Sequence, residues 1–426
     1  MNRFSAGLLA VLLAACGGAT QHRDPTLSDG PIATPSNAPT QDQARLFADA
    51  NDAFAVDLWQ QLRSSDGNLA VSPASISVAL GMTWGGARGR TAEQMSQTMH
   101  FGEDARAYHA AAGSVLSTWN DPEREAYQLA VANRLFGEQS YTWQDDFLSL
   151  TRNGYGAPLE STDFRGAAEP ARLHINSWVS DRTNDRIQDL IPLGALTSDT
   201  RMVLTNAVYF QADWASPFDA NNTQPRAFHT GATTRRVPTM HQRSHFRYAR
   251  ADGVQLLEMP YAGGELNMLI ALPETRDGLD ALEADLDAGR LRSWGGALED
   301  QLVSVSLPKF RVDPAEPLAL RQTLINMGMR DAFDPDRADF SAMADPAANE
   351  GLPLFISAVF HKAFVAVDEE GTEAAAATAV VVAIETSAMV EPAEQVHFTA
   401  DHPFLFFIRD ANSGAVLFMG RVADPS

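Results

Sequence analysis

The sequence predicts an α+β fold, and three observations carry that prediction. Apolar, partly alternating runs recur at 128–136 (QLAVANRLF), 201–211 (RMVLTNAVYFQ), 301–311 (QLVSVSLPKFR) and 354–367 (LFISAVFHKAFVAV). They read as long strands of a largely buried sheet. Helical stripes lie between and before them, but without the strict strand–helix alternation of a parallel doubly wound sheet. The chain then closes on two apolar strands flanking Asp410-Ala411-Asn412-Ser413-Gly414, a hairpin pattern.

The elements follow in order. MNRFSAGLLAVLLAAC opens the chain with Arg3 and an apolar core from Ala6 to Ala15. That core is too short to span a bilayer and reads as a secretory signal over residues 1–15. Leu13-Ala14-Ala15-Cys16 resembles a bacterial lipobox, in which Cys16 becomes the lipidated N-terminus. Gly17 follows instead of the Asp that often retains lipoproteins at the inner membrane, so a lipoprotein anchored in the outer membrane is expected. Residues 17–42 are rich in Pro, Thr, Ser and Gly, and read with Cys16 as a tether (16–42). No comparable linker interrupts residues 43–426, which read as one domain. Gln43 to Arg63 places Leu46, Phe47, Ala50, Phe54, Leu58 and Leu62 on one helical face. Thr91-Ala92-Glu93-Gln94 predicts a capping box opening another helix. Residues 173–191 and 315–329 also read as helices.

Composition excludes several functions. The formal net charge is -22, and so acidic a chain repels phosphate backbones; no nucleic-acid partner is expected. Cys16 is the single cysteine, so no intramolecular disulfide forms. There is no Gly-x-Ser-x-Gly elbow, His-Glu-x-x-His, Walker loop or Gly-x-Gly-x-x-Gly. His241 and His245 are four apart, a helical ligand spacing, but their surroundings read as strand and loop without an acidic third ligand. No metal, cofactor or enzymatic activity is expected.

One stretch resists local reading. DEEGTEAAAATAVVVAIETSAMV at 368–390 begins with three acids and a glycine, and no Lys or Arg occurs from Gly371 to Gln395. Its alanines favour helix while its threonines and valines favour strand.

Flanking motifs give it a meaning. Asn68 to Ile76 (NLAVSPASI), Thr205 to Phe210 (TNAVYF) with Trp214, Pro217 and Phe218, Val359 to Ala363 (VFHKA) before Asp368 to Thr378 (DEEGTEAAAAT), and Thr399 to Arg409 (TADHPFLFFIR) stand in order at family-like spacing. Together they resemble the serpin family over roughly residues 45–426. The resemblance implies the serpin fold, a large mixed sheet with smaller sheets, surrounding helices and a mobile reactive-centre loop at about 369–397. It also implies a serine-type endopeptidase inhibitor. A serine protease cleaves the loop as bait, the loop enters the main sheet as a new strand, and the acylated protease is trapped.

The residue roles follow from the same resemblance. Glu369, Glu370, Gly371, Thr372, Glu373, Ala374, Ala375, Ala376, Ala377 and Thr378 match the inserting hinge. The family count sets the reactive bond between Glu385 and Thr386, suiting a Glu-specific protease, while Val382, Ala383, Ile384 and Met389 suit elastase-like or chymotrypsin-like enzymes. Ser72, Ser75, Asn206 and His361 match the shutter under the sheet, and Trp214 and Lys309 match the breach where the loop enters, with Lys309 placed to pair Glu369. Two departures stand out: Glu370 replaces a frequent Lys, and the segment between hinge and Pro403 is several residues longer than in familiar serpins. The expected partners are a target serine protease, held covalently, and a membrane reached through the N-terminal lipid. The molecule is expected to be monomeric, with a risk of loop–sheet polymers. A non-inhibitory serpin acting as a carrier, and a hydrolase with an unrecognised site, are the alternatives.

As a strand, the stretch alternates its faces. Thr372, Ala374, Ala376, Thr378, Val380 and Val382 point into the core. Glu373, the only charge of the run, points the other way. From Gly371 to Glu385 an extended chain covers about 46 Å, enough to cross a large sheet.

Overall fold

The computed structural model describes residues 38–121, 124–231, 233–372 and 396–426. Two sheets dominate. The first has six strands: β1 (Tyr127–Glu138), β2 (Leu159–Thr162), β3 (Met202–Asp213), β4 (Phe310–Val312), β5 (Val365–Val367) and β6 (Gly371–Thr372), in the order β4-β5-β6-β3-β1-β2. The second has nine strands. Leu69–Val71, Val416–Val422, Phe404–Asp410, Leu266–Pro273, Val254–Pro260, Thr234–Ala251, Glu299–Pro308 and Val396–Thr399 neighbour each other in that order, and Gln224–His229 pairs with Thr234–Ala251.

Helix α1 (Gln41–Leu62) begins at Thr40, whose side chain accepts from the Gln43 N–H while the Gln43 side chain accepts from the Thr40 N–H. The reciprocal cap satisfies two donors that the first turn leaves unpaired. Its predicted stripe is buried at Phe47, Ala50, Phe54, Leu58 and Leu62. Helix α2 (Pro73–Gly85) is buried on every side as far as Trp84, because it lies between β3 and the strand Val416–Val422. That is why it is apolar all round and lacks an amphipathic stripe.

Several elements differ from expectation. The run 301–311 is not one strand: it ends at Pro308 and resumes at Phe310 in the other sheet, with Lys309 at the crossing. Among the described residues, the run 354–367 is paired only at Phe360–His361 and β5. Thr91 does not open a helix. The helix Gly89–Met99 starts two residues earlier at an Arg88 N-cap, while the Thr91 hydroxyl accepts from Asp339 N–H and Gln94 Oε1 from Arg330 and Asp331 N–H. Those side chains serve long-range partners that local sequence does not reveal. The helix expected at 173–191 spans Phe164–Arg182, and Asn184 and Asp185 at positive φ stop it. The helix expected at 315–329 is shorter, Arg321–Met327, after a two-residue strand Leu318–Ala319.

Candidate functional site

The chain leaves β5 and turns sharply at Asp368. The Asp368 N–H donates to Gly371 O at 3.0 Å, and its Oδ1 accepts from the N–H groups of Glu370 (3.0 Å) and Gly371 (3.3 Å). This turn directs Gly371 and Thr372 between β5 and β3. Thr372 stands opposite Val367 on one side and Ala212 on the other, both antiparallel. The approach is so close that a Cβ on residue 371 would lie 2.0 Å from Ala212 O and 2.7 Å from Asp213 Cα. Only glycine fits there.

A polar and aromatic cluster holds the turn. Trp214 N–H donates to Glu370 O (2.7 Å), Trp214 Nε1–H to Asp368 O (3.0 Å) and Phe218 N–H to Glu369 O (2.8 Å). Trp214 stacks on Tyr261 with centroids 4.5 Å apart and planes at 9°. The Tyr261 hydroxyl meets the Thr372 hydroxyl at 2.6 Å, and Thr372 is 1% exposed. Burial pushes the Tyr261 hydroxyl upward, so it stays protonated. Lys309 Nζ donates to Glu369 Oε2 at 2.6 Å, and Thr223 Oγ1 to Oε1 at 2.7 Å. Burial alone would raise the Glu369 carboxyl, but those donors outweigh it and hold it below its ordinary value. With Lys309 still partly in water, the ion pair contributes about 0–1 kcal/mol.

Beyond Thr372 the described strands are separated by a gap. Among the described residues, β3 has no strand partner on its β6 side before Ala212. Residues 353–359, on the far side of the gap, are in no strand. An apolar cleft runs there between Met202 and Leu204 on one wall and Phe355–His361 on the other. Ile76, Ala79 and Leu80 of α2 form its floor. A second cleft continues it under Leu190, Ile191, Ala195 and Leu196, which follow the helix Phe164–Arg182.

At the cleft floor, Ser72 Oγ donates to Leu417 O at 2.7 Å and accepts weakly from Ser75 N–H at 3.4 Å, capping α2. Ser72 N–H donates to His361 Nε2 at 3.0 Å. That acceptance places the imidazole proton on Nδ1, which is buried and has no partner among the described residues. Burial lowers His361 to about 4, so it is neutral at pH 7. Asn206 lies in β3 opposite Asn133 of β1.

The structure thus brings Trp214, Lys309, Glu369, Glu370, Gly371 and Thr372 to one end of the gap, and Ser72, Ser75 and His361 beneath it. Glu373, Ala374, Ala375, Ala376, Ala377, Thr378, Glu385, Thr386 and Cys16 lie outside the described residues. Tyr261, Thr223 and the Asp368 side chain complete the cluster without having been singled out from sequence. Tyr261 is 111 positions from Thr372, and no local signal announces that contact. His241 and His245 both lie in the strand Thr234–Ala251. Four strand positions separate them by about 13 Å, too far to share one metal.

Comparison with known proteins agrees with this geometry. A family profile described as "Serpin (serine protease inhibitor)" matches residues 49–425. Human Serpin B4 is 40% identical over 399 residues, covering 89% of this chain and 99% of that protein. The human leukocyte elastase inhibitor is 40% identical over 390 residues, covering 89% and 99%. The crystal structure of uncleaved ovalbumin superimposes with a TM-score of 0.78 at 29% identity, covering 89% of this chain and all of that one.

Proposed function

The chain belongs to the serpin family, and from that premise we propose that it inhibits serine proteases as a suicide substrate. The observation that carries the mechanism is Thr372, seated between β5 and β3 at the mouth of an open cleft. Continuing its register one residue at a time sets Thr378 opposite Asn206 and Val382 opposite Met202. On the β5 side the same count sets Thr378 opposite His361. Ten residues, 373–382, would thus fill the gap. Their ladder hydrogen bonds, at about 1 kcal/mol each, stabilise the inserted state by roughly 10 kcal/mol. Thr378 would arrive on the inward face with an acceptor oxygen for His361 Nδ1–H.

The chemistry is that of an interrupted proteolysis. The protease serine attacks the Glu385 carbonyl, the bond to Thr386 breaks, and the Thr386 amine leaves with a proton. An ester joins Glu385 to the protease. Insertion of the hinge then drags the protease away before water cleaves that ester. Elastase-like, chymotrypsin-like and Glu-specific enzymes fit the segment, and one relative carries elastase inhibition in its name. Lipidation of Cys16 would tether the domain to the outer membrane; the mass of the mature N-terminal peptide tests that.

The functional test is incubation with pancreatic elastase, chymotrypsin and a Glu-specific endopeptidase, followed by denaturing gels and the mass of the released C-terminal peptide. A gel-stable complex with a peptide beginning at Thr386 is expected. Clean cleavage with full protease activity remaining would overturn inhibition and favour a carrier.

A further inference from the structure

The nine-stranded sheet turns a polar, basic face to solvent beside the strand Val396–Thr399. Two rows cross it. His241 stands opposite Ser306, which stands opposite Thr399; Arg243 stands opposite Ser304, which stands opposite His397. Residues opposed in paired strands share a face. The alternate residues Val303, Val305 and Phe398 are buried, so these rows look outward. Arg226 stands opposite Val237, on the same strand face as His241 and Arg243. Burial, and then the charge of Arg226, hold His241 below its ordinary value.

Arg226 and Arg243 are exposed, and neither side chain forms a hydrogen bond or ion pair with another described residue. At the far end His245 holds Asp300 at 2.7 Å. In a chain with 54 acidic and 32 basic residues, two unpaired arginines among histidines and hydroxyls are a local reversal of sign.

We propose that this face docks acidic surface loops of the target serine protease, next to that enzyme's active site. The proposal rests on the inhibitory reading above and names the surface chemistry of its partner. Position supports it: Thr386 precedes Val396 by ten residues, at most about 36 Å of extended chain, so a protease engaged at the reactive bond stays within reach of this sheet edge. The three strands that carry the rows span only about 10 Å, a small part of any protease's footprint. Charge supports it too. A molecule of net charge -22 repels an acidic protease at long range, so a basic face beside the bait selects the orientation in which carboxylates meet guanidinium groups. Arginine presents a planar fork that takes a carboxylate through two hydrogen bonds. Ser304 and Thr399 add hydroxyl donors beside the cations, while the Ser306 hydroxyl is held by His241 Nδ1 at 2.8 Å.

The experiment compares the full chain with the double variant Arg226→Glu, Arg243→Glu, both sites being exposed and outside the hinge cluster and the cleft. Association rate constants and stoichiometries are measured with a Glu-specific serine endopeptidase of acidic net charge and with a basic elastase, at low and high salt. The expected result is an association rate about tenfold lower for the acidic enzyme at low ionic strength, with a difference that shrinks as salt screens it. The stoichiometry should not change, and the elastase rate should hold or rise. An unchanged rate with the acidic enzyme, or a loss independent of salt, overturns the proposal. The same two proteins are also tested for binding to the acidic protease with its catalytic serine replaced by alanine. A weaker complex with the variant supports docking even if no covalent trapping is seen with wild type, an outcome that would sink only the inhibitory reading. Equal binding by both proteins refutes docking. Arg243-dependent binding of a sulfated polysaccharide, with none of the protease, would assign the face to a different partner and refute it as well.

Discussion

Thr372→Arg places a guanidinium where the structure has a hydroxyl 2.6 Å from Tyr261 in a site 1% exposed. Two outcomes are available to the hinge. It can bury the charge without a counter-ion, at a cost of about 3–5 kcal/mol. Alternatively it can leave the site and give up the Tyr261 contact, a loss of about 1 kcal/mol. The second costs less, so the resting variant should fold with residues 371–372 displaced. Insertion cannot avoid the first cost, because every later residue enters behind position 372. A barrier raised by about 3 kcal/mol slows insertion roughly a hundredfold, while hydrolysis of the acyl-enzyme proceeds at its own rate. The assay is the stoichiometry of inhibition, read with the release of the C-terminal peptide. Wild type should consume about one molecule per protease trapped; the variant should be cleaved many times over with little trapping. Thr372→Ser keeps the hydroxyl and should behave as wild type, which separates a hinge effect from misfolding. If Thr372→Arg traps protease at wild-type stoichiometry, the loop-insertion mechanism is wrong.

Gly371→Ala forces a Cβ against Ala212 O and should destabilise the seated hinge by about 2 kcal/mol, seen as faster limited proteolysis at 368–372. His361 has a folded pKa of about 4 against 6.5 in model peptides. A base depressed in this way leaves the folded state binding fewer protons than the unfolded chain. Stability is therefore full above pH 6.5 and falls as pH drops toward 4, by about 3 kcal/mol; His361→Gln should flatten that limb of a denaturant-midpoint profile. Asp52 moves in the opposite sense. Its carboxyl is raised to about 6, chiefly by burial, despite hydrogen bonds from Val416 N–H and Asn51. The folded state then holds a proton that the unfolded chain has released, and stability is lost as pH rises from about 4 through 6. Asp52→Asn should therefore unfold at a higher temperature than wild type at pH 7.5 and at a similar one at pH 3.5.

The sequence by itself determined the elements whose signals are local and periodic. The stripe of α1, the long runs of β1 and β3 and the closing hairpin are each visible in residue spacing, because a helix or a half-buried strand repeats its own pattern. It also determined the family, through motifs that stand in order, and the inward parity of Thr372, since side chains alternate along any strand. Tertiary structure decided the rest. No local pattern could show that Tyr261 and Thr223 reach the hinge, because their contacts join distant segments. Residues 354–359 read as strand, yet a strand needs a neighbour, and among the described residues they have none beside the cleft. Lys309 sits mid-pattern in an apolar run, but two sheets compete for that run and the chain changes sheets there. The stretch 368–390 is ambiguous for the same reason. Its alanines and valines state no secondary structure of their own, and only the gap between β3 and β5, with Gly371 already fitted against Ala212 O, supplies the edges that a new strand requires.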